Sequence, residues 1–192
     1  MKKLAIAILP VFICYAATAQ LDRGQLLLGG FMKFCNTSQK ITGGKITQST
    51  ISIHPDVGYF VKDKWAIGVN LDIGFDKYKY PGSETKSSDA AVGLNSRYYF
   101  LPKTNRVNLL AEAAYALGVS KDGNAEKENI NRYSLSSALA WFVTEQIAIE
   151  AGLSYRSTKF ELEEERINRL CLQLGLQIHL GNIKIAQPVS KR

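Results

Sequence analysis

The sequence predicts an all-β fold: an eight-stranded antiparallel up-and-down barrel with its oily face turned outward. Three observations predict it. Apolar and polar residues alternate with period two along eight runs, the period at which successive side chains of a strand face opposite sides. The connections between runs are short at one end and longer or more polar at the other. The polar face carries small residues and isolated charges, not the long charged side chains of a water-facing wall.

Taken in order, the runs fall at 24–35, 47–60, 65–79, 87–100, 106–120, 130–142, 147–160 and 166–180. The first places Lys33 on its polar face. The second carries His54 and Asp56 there and ends at Gly58-Tyr59-Phe60. In the third, Trp65, Ile67, Val69, Leu71, Ile73 and Phe75 alternate with Ala66, Gly68, Asn70, Asp72, Gly74 and Asp76. The fourth presents Arg97 and ends at Tyr98-Tyr99-Phe100. The fifth sets Val107, Leu109, Ala111, Ala113, Tyr115 and Leu117 on one side, with Glu112 on the other. The sixth ends at Ala140-Trp141-Phe142. In the seventh, Ile147, Ile149, Ala151, Leu153 and Tyr155 oppose Ala148, Glu150, Gly152, Ser154 and Arg156. The eighth repeats the pattern with Leu170, Leu172, Leu174, Leu176, Ile178 and Leu180 against Cys171, Gln173, Gly175, Gln177 and His179. Tight connections follow the second run (Val61 to Lys64), the fourth (Leu101 to Asn105) and the sixth (Val143 to Gln146). Asn36 to Ile46, Tyr80 to Lys86, Lys121 to Asn129 and Glu161 to Glu165 read as the longer loops.

The segment ahead of these runs is a signal peptide by its composition. Lys2 and Lys3 precede an apolar stretch from Leu4 to Tyr15, and Ala17-Thr18-Ala19 fits a small-x-small cleavage site. A stretch of about a dozen apolar residues is shorter than the ~20 that a spanning helix needs. Residues 1–19 are therefore expected to be removed, with 20–180 as the barrel and 181–192 as a C-terminal tail. Cys14 is preceded by Ile13, where a lipoprotein signal places a small residue. The full chain has 24 basic and 17 acidic residues; without Lys2 and Lys3 the net charge is about +5, with the charges scattered. That scatter and the export signal argue against nucleic acid as a partner.

Which face meets lipid follows from the polar residues. An eight-stranded interior is just wide enough to be filled by side chains. Small residues set among Lys33, Asp56, Asp72, Arg97, Glu112, Glu150 and Arg156 suit such a filling, because buried charges need partners of opposite sign. The opposite face is almost free of charge along the middle of each run, as contact with hydrocarbon requires. The expected fold is thus a transmembrane barrel, exported to the outer membrane and in contact with its lipid and lipopolysaccharide. Tyr59, Phe60, Trp65, Tyr98, Phe100, Trp141 and Phe142 recur near the tight turns and are expected to form an aromatic girdle at the membrane–water interface.

The residues also resemble a known family. His54-Pro55-Asp56-Val57-Gly58-Tyr59-Phe60-Val61, Trp65-Ala66-Ile67-Gly68, Arg97-Tyr98-Tyr99-Phe100 and Ile147-Ala148-Ile149-Glu150 look like the small porin-like outer-membrane β-barrel proteins of Bacteroidota-type bacteria. Gln173 to Leu180 resembles the signal that such barrels present to the assembly machinery in their last strand, ending here on Leu180 where an aromatic is usual. The resemblance implies a barrel in the outer membrane and no particular activity.

Residues that could carry chemistry are few. His54 and His179 share the polar face; a lipid-modifying enzyme would need one of them beside a nucleophile and an orienting acid, whereas interior polar fill needs neither. No metal-ligand spacing, phosphate loop or cofactor motif occurs. Glu161-Leu162-Glu163-Glu164-Glu165 is either a cation-binding loop or a solvated one. Lys77, Lys79 and Lys86 are placed to meet lipopolysaccharide phosphates. Cys35 and Cys171 both point inward by parity on what would be neighbouring first and last strands, so they form either a bridge across the seam or two free buried thiols. The expected protein is a monomeric, non-enzymatic barrel with a filled interior and a structural or surface-interaction role. A lipid-modifying enzyme and a soluble periplasmic carrier of apolar ligands are the alternatives.

Overall fold

The computed structural model describes residues 21–41, 44–80, 83–122, 126–161 and 166–181, with side chains described except at 38–41, 44–46, 80 and 122. The signal segment, the tail from 182 onward and residues 162–165 of the acidic loop lie outside the described residues. Eight strands follow one another: β1 (Leu26–Ile41), β2 (Gly44–Lys62), β3 (Trp65–Tyr80), β4 (Ser83–Tyr99), β5 (Val107–Asp122), β6 (Lys127–Phe142), β7 (Ile147–Phe160) and β8 (Arg166–Leu180). Each pairs antiparallel with the next, and β1 pairs with β8, so the sheet closes into a barrel and has no free edge.

The alternation dictates which way the side chains face. Trp65, Ile67, Val69 and Leu71 are 38%, 44%, 53% and 40% exposed on the outside of the cylinder, whereas Ala66, Asn70 and Asp72 are buried inside. The same holds around the wall, with Leu94, Leu135, Leu153, Leu170 and Leu172 all pointing out. Above the turn end, the described interior is polar, the reverse of the apolar hollow that a soluble carrier would use.

Three of the expected loops are mostly strand. β1 continues to Ile41 and β2 begins at Gly44; β3 runs to Tyr80 and β4 starts at Ser83; β5 reaches Asp122 and β6 starts at Lys127. These extensions, such as Asn36-Thr37-Ser38-Gln39-Lys40, are polar on both faces and show no alternation. The backbone ladder continues through them regardless, because pairing satisfies main-chain donors and acceptors whatever the side chains. The cylinder is therefore taller at this loop end than its apolar belt.

At the opposite, turn end, Leu21 to Gln25 folds under the barrel. Gly24 N donates to Phe60 O at 2.9 Å and Lys64 N to Leu21 O at 2.8 Å. Lys64 turns the chain from β2 to β3 in the left-handed region, with φ 64°. Lys103 clasps this end through Asp22 and through Asp63 Oδ2 at 2.6 Å. The Lys103 ammonium and the Arg23 N–H that donate to Asp63 hold its carboxyl below the usual carboxylate range. Asp22, Arg23 and Asp63 are exposed and Lys103 only half-buried, so the clasp adds little stability.

Two girdle assignments are corrected here. Phe60 and Phe142 are fully buried within the cylinder, while Tyr59, Trp65, Tyr98, Phe100 and Trp141 lie on its outer wall. Each misplaced phenylalanine follows an outward aromatic by one residue, and in a strand one residue reverses the face. With Leu21, Leu27, Tyr99, Leu110 and several alanines, they form an apolar plug at the turn end. His179 packs against it, its ring centroid 5.3 Å from that of Phe142.

Candidate functional site

Above the plug, the interior is a stack of charged side chains drawn from every strand. Six acids (Asp56, Asp72, Asp76, Asp89, Glu112 and Glu150) and five bases (Lys33, Arg97, Arg132, Arg156 and Arg169) are buried there among the described residues. Asp76, Asp89, Arg132 and Arg169 are additions to the charge set expected from the sequence, Asp76 having its polar-face place there already. All four lie inside the alternating runs and on their polar faces, so the same parity that places the predicted members reaches them too.

Arg97 of β4 is the hub of the lower tier. Its Nη2 lies 2.5 Å from Glu112 Oε2 and 3.4 Å from Asp56 Oδ2, and its Nη1 3.6 Å from Glu150 Oε2. Tyr99 OH donates to Glu150 Oε1 at 3.1 Å, and Gln177 Nε2 to Asp56 Oδ1 at 3.1 Å. One guanidinium thus joins β2, β4, β5 and β7, and Gln177 adds β8. Its planar fork directs donors toward several partners at once, which an ammonium cannot do with fixed geometry. The guanidinium also lies 5.0 Å over the Phe31 ring. That ring in turn covers Gly175, its direct partner across the β1–β8 seam. A Cβ at Gly175 would fall 2.5 Å from Phe31 Cδ1, so only glycine leaves room for the ring.

The middle tier centres on Asp72. Arg132 Nη1 approaches Asp72 Oδ2 at 2.7 Å and Asp89 Oδ2 at 2.9 Å, and Arg156 Nη2 lies 3.5 Å from Asp72 Oδ2. Arg132 Nε donates to Thr158 Oγ1 at 3.1 Å. Lys33 is buried between the two tiers, lining one small cavity with Asp72 and Arg132 and with Asp56 and Glu112. An upper tier follows, where Arg169 Nη1 lies 3.2 Å from Asp76 Oδ1, and Gln48 Nε2 donates to the same oxygen at 3.0 Å. Thr50 Oγ1 also donates to it. Beside that tier, Cys35 and Cys171 face each other across the seam with Cα atoms 4.3 Å apart and are joined by a disulfide.

His54 has the partners that the enzyme alternative asks for, but in the wrong arrangement. Ser52 Oγ lies 2.9 Å, Asp72 Oδ1 3.4 Å and Arg156 Nη2 2.6 Å from one and the same nitrogen, Nε2. A base–nucleophile pair with an orienting acid uses both ring nitrogens, with the acid on Nδ1. Arg156 can only donate, so Nε2 already spends its lone pair on the guanidinium. The adjoining cavity, lined by Lys33, His54, Asp56, Asp72 and Arg132, has a volume of about 20 Å³, room for about one water. No substrate fits. His179 lies far from this group, against the plug. No group of three or more metal-ligating side chains occurs among the described residues.

An oily outer wall, a charged and filled inside and a closed eight-strand seam define the class: a small β-barrel turned inside out relative to soluble ones. No protein-family model matches the chain, and neither does any curated sequence. Among solved structures, the chain is similar to Neisserial surface protein A, with 16% identity, 81% of this chain and 96% of that one covered, and a TM-score of 0.60. It also matches the N-terminal β-barrel domain of Pseudomonas aeruginosa OprF, at 15% identity, 82% and 98% coverage and a TM-score of 0.46. At these identities the likeness is one of fold.

Proposed function

We propose that this chain is an outer-membrane barrel protein of the Bacteroidota-type porin-like kind, monomeric and non-enzymatic, with a structural or surface-interaction role. The observation that carries the reading is sidedness. A belt of leucine, isoleucine, valine and aromatic side chains faces outward all round, while eleven ionisable acids and bases are sequestered inside. In water this would expose far more contiguous apolar surface than a soluble monomer carries; in a bilayer it is the arrangement that hydrocarbon selects. Strands of 14 to 19 residues exceed the roughly 9–11 that cross the hydrocarbon, and the excess lies at the polar loop end. That end is assigned to the outside of the cell and the tight turns to the periplasm.

Two measurements test the reading. The purified protein is expected to migrate differently on denaturing gels before and after boiling, and to remain with the detergent-extracted outer membrane after carbonate washing. A carbonate-soluble protein without a heat shift would overturn the membrane assignment. Reconstituted in planar bilayers, it is expected to show negligible conductance, because the three charge tiers and the plug leave no continuous aqueous path. Large steady current steps would contradict a filled interior.

A further inference from the structure

The four hairpins closed at the loop end share a feature of register. In each, one basic residue directly faces another: Lys40 faces Lys45, Lys77 faces Lys86, Lys121 faces Lys127, and Lys159 faces Arg166. Like charges opposed across an antiparallel pair repel and cost stability, so the pairs Lys77–Lys86, Lys121–Lys127 and Lys159–Arg166 are the reverse of what stability alone selects. Glu84 offsets one of them, with its Oε1 2.7 Å from Lys77 Nζ. Lys159 and Arg166 are both exposed and make no ion pair with an acid among the described residues.

Through Arg166, that last pair reaches the loop-end rim of a depression in the outer wall. Arg166 reaches across β7 and sets its guanidinium 4.8 Å over the ring of Tyr133. Tyr133 stacks on Tyr115 at 6.0 Å, and Tyr115 OH donates to Asn131, which faces Lys159 in register. Toward the turn end, the small side chains of Ser96 and Ala113 stand in one row between Ile67 and Leu135, and with Leu94, Tyr133 and Tyr155 they line an apolar groove of about 570 Å³. Cations, then phenolic hydroxyls, then a slot without charge follow one another down the wall. This is the order of groups along an amphiphile whose head is anionic and whose tail is hydrocarbon.

We propose that the β4–β8 wall binds a lipid bearing a headgroup phosphate, of the lipid A class. The phosphate is held between Lys159 and Arg166, and one acyl chain lies in the groove below. The inference rests on the outer-membrane reading and adds a site to it. Planar guanidinium and ammonium donors to one phosphate are charge-assisted and strong, and the anion removes the repulsion between the pair.

Native mass spectrometry of the detergent-purified protein tests it, with bisphosphorylated lipid A, the same lipid A dephosphorylated, and inorganic phosphate as separate additions. The expected result is retention of the phosphorylated lipid alone. Retention falls at least about tenfold in Lys159→Gln/Arg166→Gln, is kept in Lys159→Arg, and is unchanged in Lys62→Gln at the turn end. Filling the slot with Ala113→Trp is expected to weaken lipid retention too. Equal retention of phosphorylated and dephosphorylated lipid by the unaltered protein would overturn the proposal, as would full retention by the double variant. If millimolar inorganic phosphate displaces the lipid, the site is one for free phosphate and the acyl assignment fails. The heat shift on gels reads the membrane fold separately: a protein that keeps it but ignores lipid A sinks this inference alone.

Discussion

Arg97→Ala is expected to lower the unfolding free energy by about 3–5 kcal/mol, the range found when one partner of a buried ion pair is removed. The cost does not come mainly from lost attraction. Asp56, Glu112 and Glu150 converge on the one guanidinium, and without it three buried carboxylates lose the cation they share. Arg97→Lys is expected to recover part of the loss, because an ammonium supplies the charge but not the three-way fork. Neutralising the set together, with Arg97→Met, Asp56→Asn, Glu112→Gln and Glu150→Gln, is expected to restore most of the stability, since a matched neutral filling avoids desolvating any ion. Urea titration in detergent, followed by the heat-sensitive gel band, measures all of these. A loss under about 1 kcal/mol for Arg97→Ala would mean that water reaches the tier and that the interior is not filled.

The second large effect is expected at the seam. Cys35 and Cys171 are 136 positions apart in sequence, and cross-linking a loop of that length constrains the unfolded chain by roughly 4–5 kcal/mol in the chain-entropy account. Cys35→Ser and Cys171→Ser are expected to destabilise the barrel equally, and the double variant no more than either, because a single bond is at stake. Reductant should lower the unfolding midpoint of the unaltered protein and leave the variants where they are. Alkylation without reductant followed by mass spectrometry gives an independent reading. Unmodified Cys35 and Cys171 are expected, and two carbamidomethyl groups would dispose of the bridge.

Much of this architecture is legible in the sequence because period-two alternation is a local property. Trp65 to Asp76 declares both faces of β3 without reference to any other strand, and eight such runs with alternating connections leave few topologies but a meander that closes. Parity also brings Lys33, Asp56, Asp72, Arg97, Glu112, Glu150 and Arg156 inside. What it cannot give is who meets whom. That Arg97 gathers Asp56, Glu112 and Glu150, while Asp72 draws Arg132 and Arg156, depends on the stagger between strands, which is set by the whole closed sheet. The two phenylalanines show how recurrence misleads. Phe60 and Phe142 sit beside Tyr59 and Trp141 in repeated motifs, and grouping by motif overrode the parity that sends them inward. The extended loop-end strands escaped for the opposite reason: Asn36 to Lys40 carries no alternation to read, and only the continued backbone ladder reveals it. The cysteines mark the limit well. Their shared inward parity was visible, but the register that sets Cys35 opposite Cys171 was not.

All seven interstrand connections fall between Cys35 and Cys171. The covalent ring therefore takes in nearly the whole wall and leaves outside it, among the strands, only the turn-end parts of β1 and β8, which pair with each other. A protease that makes one cut in any connection opens the backbone without releasing a fragment, and the two pieces stay one covalent body until a reductant parts them.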